Sequence, residues 1–212
     1  MPVELKESGS AVVSPETVEA EEAGDDVEEA RVHDPKNLLL DDDCYCCARV
    51  AKNWLICGRK RGRWPATCFV GPDWPCMCCT YSLILAPSGA FLVLVAPRVH
   101  AAVVAGGALT LGALLAAFSL TACSDPGIVY RELGSDDVAR RFCSRCDFER
   151  PIEARHCYDC DLCVRDLDHH CPWTGKCIGA KTIRNFYAFL VCLLVHLVYV
   201  VVMTVYFFVR PK

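Results

Sequence analysis

The sequence predicts an all-α integral membrane helix bundle joined to a small cysteine-rich domain of short β-hairpins and loops, held by metal in place of a large apolar core. Three observations carry this reading. Hydrophobic residues make up 53% of the 212 and the mean hydropathy is +0.26, too apolar for an ordinary soluble chain. Three apolar stretches are long enough, at roughly 20 residues, to cross about 30 Å of hydrocarbon as helices. The 17 cysteines gather mostly as C-x-x-C pairs beside histidines. Because Met1 to Ser10 (MPVELKESGS) lacks the apolar core of a secretory leader, that pattern favours reduced thiolates on metal over a disulfide framework.

Residues 1–43 hold 14 acidic and 3 basic residues, a balance of −11 that leaves +7 for the remainder of a chain of net charge −4. With no aromatic residue and little clustered apolar content, this stretch cannot bury enough surface to offset ordering entropy, and it reads as a disordered acidic tail. Residues 44–75 read as a basic juxtamembrane segment. Its run Arg59-Lys60-Arg61-Gly62-Arg63 serves topology, and could also meet anionic head groups at about 1 kcal/mol per basic residue.

Spans follow at 76–96 and 99–123, separated only by Pro97 and Arg98 and therefore a tight helical hairpin. The first contains Pro87, Ser88 and Gly89, which membrane helices tolerate where neighbours satisfy the backbone. The second is rich in small residues (Ala105, Gly106, Gly107, Ala108, Gly112, Ala113) and should approach a partner helix closely. Residues 124–185 form the cysteine-rich domain, and 186–209 a third span. Basic residues flank the open side of the hairpin, which places 1–75 and 124–185 in the cytosol.

The chemistry concentrates in residues 143–177: Cys143-x2-Cys146-x9-His156-Cys157-x2-Cys160-x2-Cys163, then Asp168-His169-His170-Cys171, then Cys177 after five residues. Structural zinc is tetrahedral and takes four Cys or His ligands, commonly from C-x2-C turns. Two ions would use eight of the ten candidate groups in this stretch. Spacing alone does not say which two are left over, nor does it exclude a purely structural double finger.

In register, Cys143, Cys146, Arg150-Pro151, His156-Cys157, Cys160, Cys163, Asp168-His169-His170-Cys171-Pro172-Trp173 and Cys177-Ile178-Gly179 closely resemble the DHHC cysteine-rich domain of protein S-acyltransferases (palmitoyltransferases). Asp125-Pro126-Gly127 resembles that family's Asp-Pro-Gly motif, while Cys57-Gly58-Arg59 and Gly71-Pro72-Asp73 look like those of plant-type or protist-type members. The resemblance implies one zinc on Cys143, Cys146, His156 and Cys163 and a second on Cys157, Cys160, His170 and Cys177. His169 and Cys171 are then left over. A nucleophilic thiol needs an imidazole to take its proton, and that imidazole needs an orienting acceptor, a role that falls to Asp168. Cys171, His169 and Asp168 are thus the implied catalytic set.

The implied activity is protein-cysteine S-palmitoyl transfer, in which Cys171 takes a long-chain acyl group from acyl-CoA as a thioester and passes it to a substrate cysteine. The implied partners are acyl-CoA, substrate proteins with membrane-proximal cysteines and the lipid bilayer, with no nucleic acid. The implied setting is an integral membrane protein of the Golgi, endoplasmic reticulum or plasma membrane with its zinc domain in the cytosol. Arg145, Arg150, Arg155 and Arg165 would offset the negative zinc sites, or meet the CoA phosphates.

Three positions depart from the family pattern: Lys176 and Thr182 stand where Asn is usual, and Glu153 where Arg is. The family's fourth span and Thr-Thr-x-Glu motif do not follow residue 209, so the chain reads as truncated after its third span. These departures support a rival reading, a zinc-binding membrane adaptor with weak or no catalysis. Cys44-Tyr45-Cys46-Cys47 and Cys76-Met77-Cys78-Cys79 are candidate acylation sites or merely small apolar residues at the interface. His196, inside the third span, is read as a packing residue.

Overall fold

The computed structural model describes residues 36–39, 45–131 and 140–210. Most of the acidic stretch, together with Cys44, lies outside them. Lys36 to Leu39 fall inside the segment read as disordered, yet they are ordered. Leu38 is buried in the core, Leu39 bridges Arg131, and the Lys36 ammonium donates to Asp161 Oδ1 at 2.7 Å. Leu38 supplies the apolar surface that anchors this short segment.

Residues 44–75, read as a basic juxtamembrane segment, contain a three-stranded antiparallel sheet: β1 (Tyr45–Val50), β2 (Asn53–Gly58) and β3 (Cys68–Val70), in the order β1-β2-β3. The reason is visible in β2, where Asn53 and Leu55 point inward while Trp54 and Ile56 are exposed, the period-two alternation of a half-buried strand. Val50, Leu55 and Phe69 join the core built by the cysteine-rich domain. The β1–β2 turn docks on that domain through Lys52 N and Asn53 Nδ2, both donating to the carbonyl of Cys160.

Three helices are long and apolar enough to cross a membrane: Trp74–Val99, Ala101–Cys123 and Ile183–Val209. The first is α1 (Trp74–Ala90), continued by a π-helical turn (Phe91–Val95) and α2 (Ala96–Val99). Pro97 and Arg98, read as the connection, are therefore helical. Pro97 fits because the first turn of a helix needs no N–H from it. The break comes at His100, extended at φ −169°, whose Nδ1 caps the next helix by accepting from Ala102 N at 3.1 Å.

α3 (Ala101–Cys123) and α4 (Ile183–Val209) pack closely. Gly106 and Gly107 admit the ring of Tyr199, which a Cβ at Gly106 would overlap, and the Tyr199 hydroxyl donates to Val103 O at 2.9 Å. The partner expected for the small-residue stripe is thus α4, and Gly112, with no neighbour there, takes no part.

Between α3 and α4 the chain folds into three hairpins of one register: β4 (Arg140–Cys143) with β5 (Phe148–Pro151), β6 (Ala154–Cys157) with β7 (Leu162–Arg165), and β8 (His169–Cys171) with β9 (Lys176–Ile178). The pairs closing the tips, Cys143 with Phe148, Cys157 with Leu162 and Cys171 with Lys176, recur at a step of 14 residues. So do the left-handed residues in the tips, Asp147 (φ 57°), Asp161 (φ 56°) and Gly175 (φ 82°), of the types that tolerate that conformation.

Candidate metal centres and reactive cysteine

Each of the first two hairpin tips meets the middle of the hairpin that follows. Cys143 and Cys146, from the first tip, meet His156 and Cys163, which face each other across β6 and β7. Fourteen residues on, Cys157 and Cys160 meet His170 and Cys177, which face each other across β8 and β9. Within each group the four ligand atoms lie within 4.8 Å of one another.

His156 Nδ1 is 3.7, 3.3 and 3.8 Å from the sulfurs of Cys143, Cys146 and Cys163. His170 Nδ1 is 3.5, 3.4 and 3.7 Å from those of Cys157, Cys160 and Cys177. An ion with bonds of about 2.3 Å to sulfur and about 2.0 Å to nitrogen in tetrahedral array needs N–S edges of roughly 3.5 Å. Both groups could hold such an ion.

Crowding also makes the groups share protons. Cys146 is pushed down to about 6, chiefly by its hydrogen bond with Cys163, whose own thiol is pushed up in turn. His170 is raised to about 11 by hydrogen bonds to Cys157 first and Cys160 next. A bound cation would take the place of these protons.

The outer nitrogens differ. Asp73 Oδ2 lies 2.7 Å from His170 Nε2, whereas Asp161 Oδ1 is 3.6 Å from His156 Nε2, too far for a hydrogen bond. A carboxylate on the outer nitrogen fixes the tautomer and orientation of a metal-binding imidazole. Asp73 immediately precedes α1, and its N–H donates to Gly175 O at 3.2 Å. A Cβ at Gly71 would overlap that same carbonyl. The approach that delivers Asp73 therefore requires glycine two residues earlier. Asp73 was read only as part of a Gly-Pro-Asp resemblance. Its role had no signal in spacing, since 97 residues separate it from His170.

Strand alternation sorts the Asp168–Cys171 run. Side chains two apart share a face, so β8 turns His170 toward Cys157 and Cys160 and sends His169 and Cys171 the other way. His169 Nδ1 lies 2.7 Å from Asp168 Oδ2, and its ring stands edge-on to Phe186 at 5.3 Å. Cys171 is buried and lines the end of an almost wholly apolar cavity of about 520 Å³ between α1 and α4.

That cavity runs past Thr80, Trp173, Phe189 and Leu193 to Ser88 and His196. From Phe186 to Val200 it follows 14 residues of α4, roughly 21 Å at 1.5 Å per residue. His196 stands in its wall short of Leu197 and Val200, with Nε2 2.8 Å from Ser88 Oγ and Nδ1 2.9 Å from Thr110 Oγ1. The residue read as packing thus also forms part of a cavity wall.

Two of the three departing positions are buried. Lys176 is fully buried, donates to Phe69 O at 2.8 Å, and is pushed down to about 8 by burial. Thr182 is buried, and its hydroxyl accepts from Gly179 N at 3.2 Å, tying the domain to the head of α4. Glu153 is exposed. Of the other cysteines, Cys78 and Cys79 are exposed in the first turns of α1, Cys76 is half-buried, and Cys46, Cys57 and Cys68 face one another across β1, β2 and β3.

The family of DHHC palmitoyltransferases matches residues 137–212. Palmitoyltransferase ZDHHC8 of Homo sapiens is 37% identical over 107 residues, covering 42% of this chain and 14% of that protein. Palmitoyltransferase ZDHHC5-A of Danio rerio is 37% identical over 103 residues, 40% of this chain and 14% of that protein. Palmitoyltransferase ZDHHC5 of Rattus norvegicus is 36% identical over 103 residues with the same coverage. The chain thus spans about 14% of the length of these relatives.

Proposed function

From the match of residues 137–212 to the family of DHHC palmitoyltransferases, we propose that the chain transfers long-chain acyl groups from acyl-CoA to protein cysteines through a thioester on Cys171. The observation that carries this reading is Cys171 buried at the end of the long apolar cavity. A nucleophile so placed has an acyl chain's worth of hydrocarbon-lined space beside it.

The residues take distinct roles. Cys143, Cys146, His156 and Cys163 hold one zinc, and Cys157, Cys160, His170 and Cys177 a second. Zinc supplies the rigidity that a small apolar core cannot. Asp168 accepts from His169 Nδ1–H and leaves Nε2 as the base. His169 takes the Cys171 proton, the thiolate attacks the acyl carbonyl carbon, and the bond to the CoA sulfur breaks, its electron pair leaving with that sulfur, which receives the proton from His169.

The second half repeats the exchange. A substrate thiol gives its proton to His169 and attacks the Cys171 thioester, and Cys171 departs and is reprotonated. One thioester is traded for another, so the work lies in supplying thiolate and holding it in place. The hairpin domain faces the cytosol, on the side marked by basic residues, where acyl-CoA and substrate cysteines meet it at the surface of the endomembranes or plasma membrane.

The test is incubation of the purified full chain with labelled palmitoyl-CoA. Hydroxylamine-sensitive label should appear and vanish in Cys171→Ala with zinc content unchanged. Equal label in both proteins would sink the proposal. Absence of label from both, under conditions where a relative is labelled, would favour the adaptor reading.

A further inference from the structure

Apart from the cavity that holds Cys171, two further cavities adjoin through the shared lining residues Arg61 and Lys181. The first, about 420 Å³, is lined by Arg61, Arg140, Arg165 and Lys181 with a single acid, Glu149. The second, about 490 Å³, shares Arg61 and Lys181 and adds Arg63, Trp64, Leu120 and Asn185. Leu120 lies in the last turn of α3 and Asn185 in the first turn of α4, so this second cavity sits where two spans emerge from the membrane. The pair thus descends from a cationic chamber outside the bilayer to a mixed aromatic, apolar and amide-lined slot at its surface. Neither cavity shares a lining residue with the acyl cavity that holds Cys171.

The charges are built in from separate elements: Arg61 and Arg63 from the β2–β3 loop, Arg140 from β4, Arg165 from the end of β7, and Lys181 from the approach to α4. Among the described residues that line the two cavities, five cations stand with two acids, Glu149 and Asp125, and the latter is already engaged. Asp125 Oδ1 accepts the N–H groups of Gly127 and Ile128 at 2.8 and 2.9 Å, and Oδ2 meets Lys181 Nζ at 2.5 Å. Arg63 and Arg165 have no side-chain partner among the described residues. Basic chambers between membrane helices on an anionic leaflet recognise phosphorylated head groups. Guanidinium forks suit phosphate oxygens better than point charges do.

We propose that this double cavity binds an anionic phospholipid bearing phosphomonoesters, a phosphatidylinositol phosphate, with its phosphates among Arg61, Arg140 and Arg165 and its glycerol backbone between Trp64, Leu120 and Asn185. The slot leading to the bilayer is what selects a lipid over a soluble phosphate. Bound there, the lipid bridges the β2–β3 loop, the hairpins and the heads of α3 and α4.

Native mass spectrometry of the full chain in detergent tests this, titrating dioctanoyl phosphatidylinositol bisphosphate, dioctanoyl phosphatidylserine, inositol trisphosphate and CoA. One bisphosphate lipid should bind per chain, more tightly than phosphatidylserine or inositol trisphosphate. Arg63→Gln combined with Arg165→Gln should weaken it by roughly tenfold or more, given about 1 kcal/mol per basic residue near a membrane surface, with zinc content intact. Glu149→Gln, which removes the opposing acid, should tighten it by roughly fivefold on the same basis, a readout that survives if the double variant misfolds. Equal binding of the two lipids, equal binding of inositol trisphosphate, displacement by CoA, or indifference to Glu149→Gln would overturn the proposal. Palmitoyl label on Cys171, measured in the same preparations, reports the acyl-transfer reading separately.

Discussion

Asp73 is where a side chain outside the hairpins takes hold of a metal centre, and removing it should separate the two centres. Its carboxylate sits 2.7 Å from His170 Nε2, while the corresponding acid at the other centre, Asp161, is 3.6 Å from His156 Nε2 and engaged with Lys36 at 2.7 Å. Loss of such an outer carboxylate typically costs 10- to 100-fold in metal affinity, about 1.4 to 2.7 kcal/mol at 1.36 kcal/mol per factor of ten. Asp73→Ala should show that full loss at the Cys157–Cys160–His170–Cys177 centre. Asp73→Asn, which keeps an acceptor but loses the charge, should fall between it and the wild type. Zinc release to a chromogenic chelator is the assay, with alkylation and mass spectrometry identifying which cysteines become reactive first. In the wild type the Cys143–Cys146–His156–Cys163 centre should open first; in Asp73→Ala the order should reverse or merge. If Asp73→Ala leaves the release rates and order unchanged, the carboxylate is not holding the imidazole and the reasoning fails.

His169→Gln should lower the rate of Cys171 acylation by about 10²- to 10⁴-fold, the usual worth of a positioned acid–base group, with both zinc ions retained; a loss of zinc would show the residue to be structural. Lys176, pushed down to about 8 by burial against an ordinary value of 10.5, makes stability depend on pH. Between those values the unfolded chain holds the proton and the native chain does not, so stability rises as pH climbs through the window and the contribution is lost as pH falls back to 8. Lys176→Met should flatten that slope in detergent unfolding curves, and an unchanged slope would refute the assignment. Thr174→Cys completes a C-x-x-C tip at Cys171, so added zinc should inhibit labelling of this variant and a chelator restore it, while the wild type is indifferent. Equal responses would argue against the likeness of the three tips.

The helices were legible because runs of apolar residues are a local signal, whereas the two metal sets came from the resemblance to the DHHC domain, since spacing alone left two of the ten candidate groups unassigned. The β1–β3 sheet was missed although β2 alternates cleanly, since basic residues and the nearby span drew the reading toward topology. Its first turn, Ala51-Lys52, also carries none of the Gly or Asn residues that mark a hairpin, although Ala51 takes φ 51°. Pro97 misled in the opposite way, because proline breaks a helix interior but suits a first turn. Asp73 and Lys176 could not be placed at all. One acts across 97 residues and the other donates to the backbone of Phe69 across 107, contacts that only the packed sheet creates.

One signal was present in the sequence and went unread. Cys143, Cys146, His156 and Cys163 become Cys157, Cys160, His170 and Cys177 on adding 14 to each number, and a second addition carries the tip pair to Cys171 and Thr174. The third hairpin keeps the register and the left-handed tip residue of the other two, but a hydroxyl stands where the second sulfur would be, donating to Cys171 O at 3.1 Å. Its first sulfur therefore has no second tip sulfur with which to share an ion. Positions 184 and 191, where the next histidine and cysteine would fall, are Arg184 and Val191 on α4, so the following element supplies no ligands either. A thiol held in a zinc-knuckle backbone but denied the metal is fixed in place by its two ligated neighbours and free to react. On the proposed chemistry, the same repeat that builds the metal frame, interrupted once at Thr174, is what leaves Cys171 as the nucleophile.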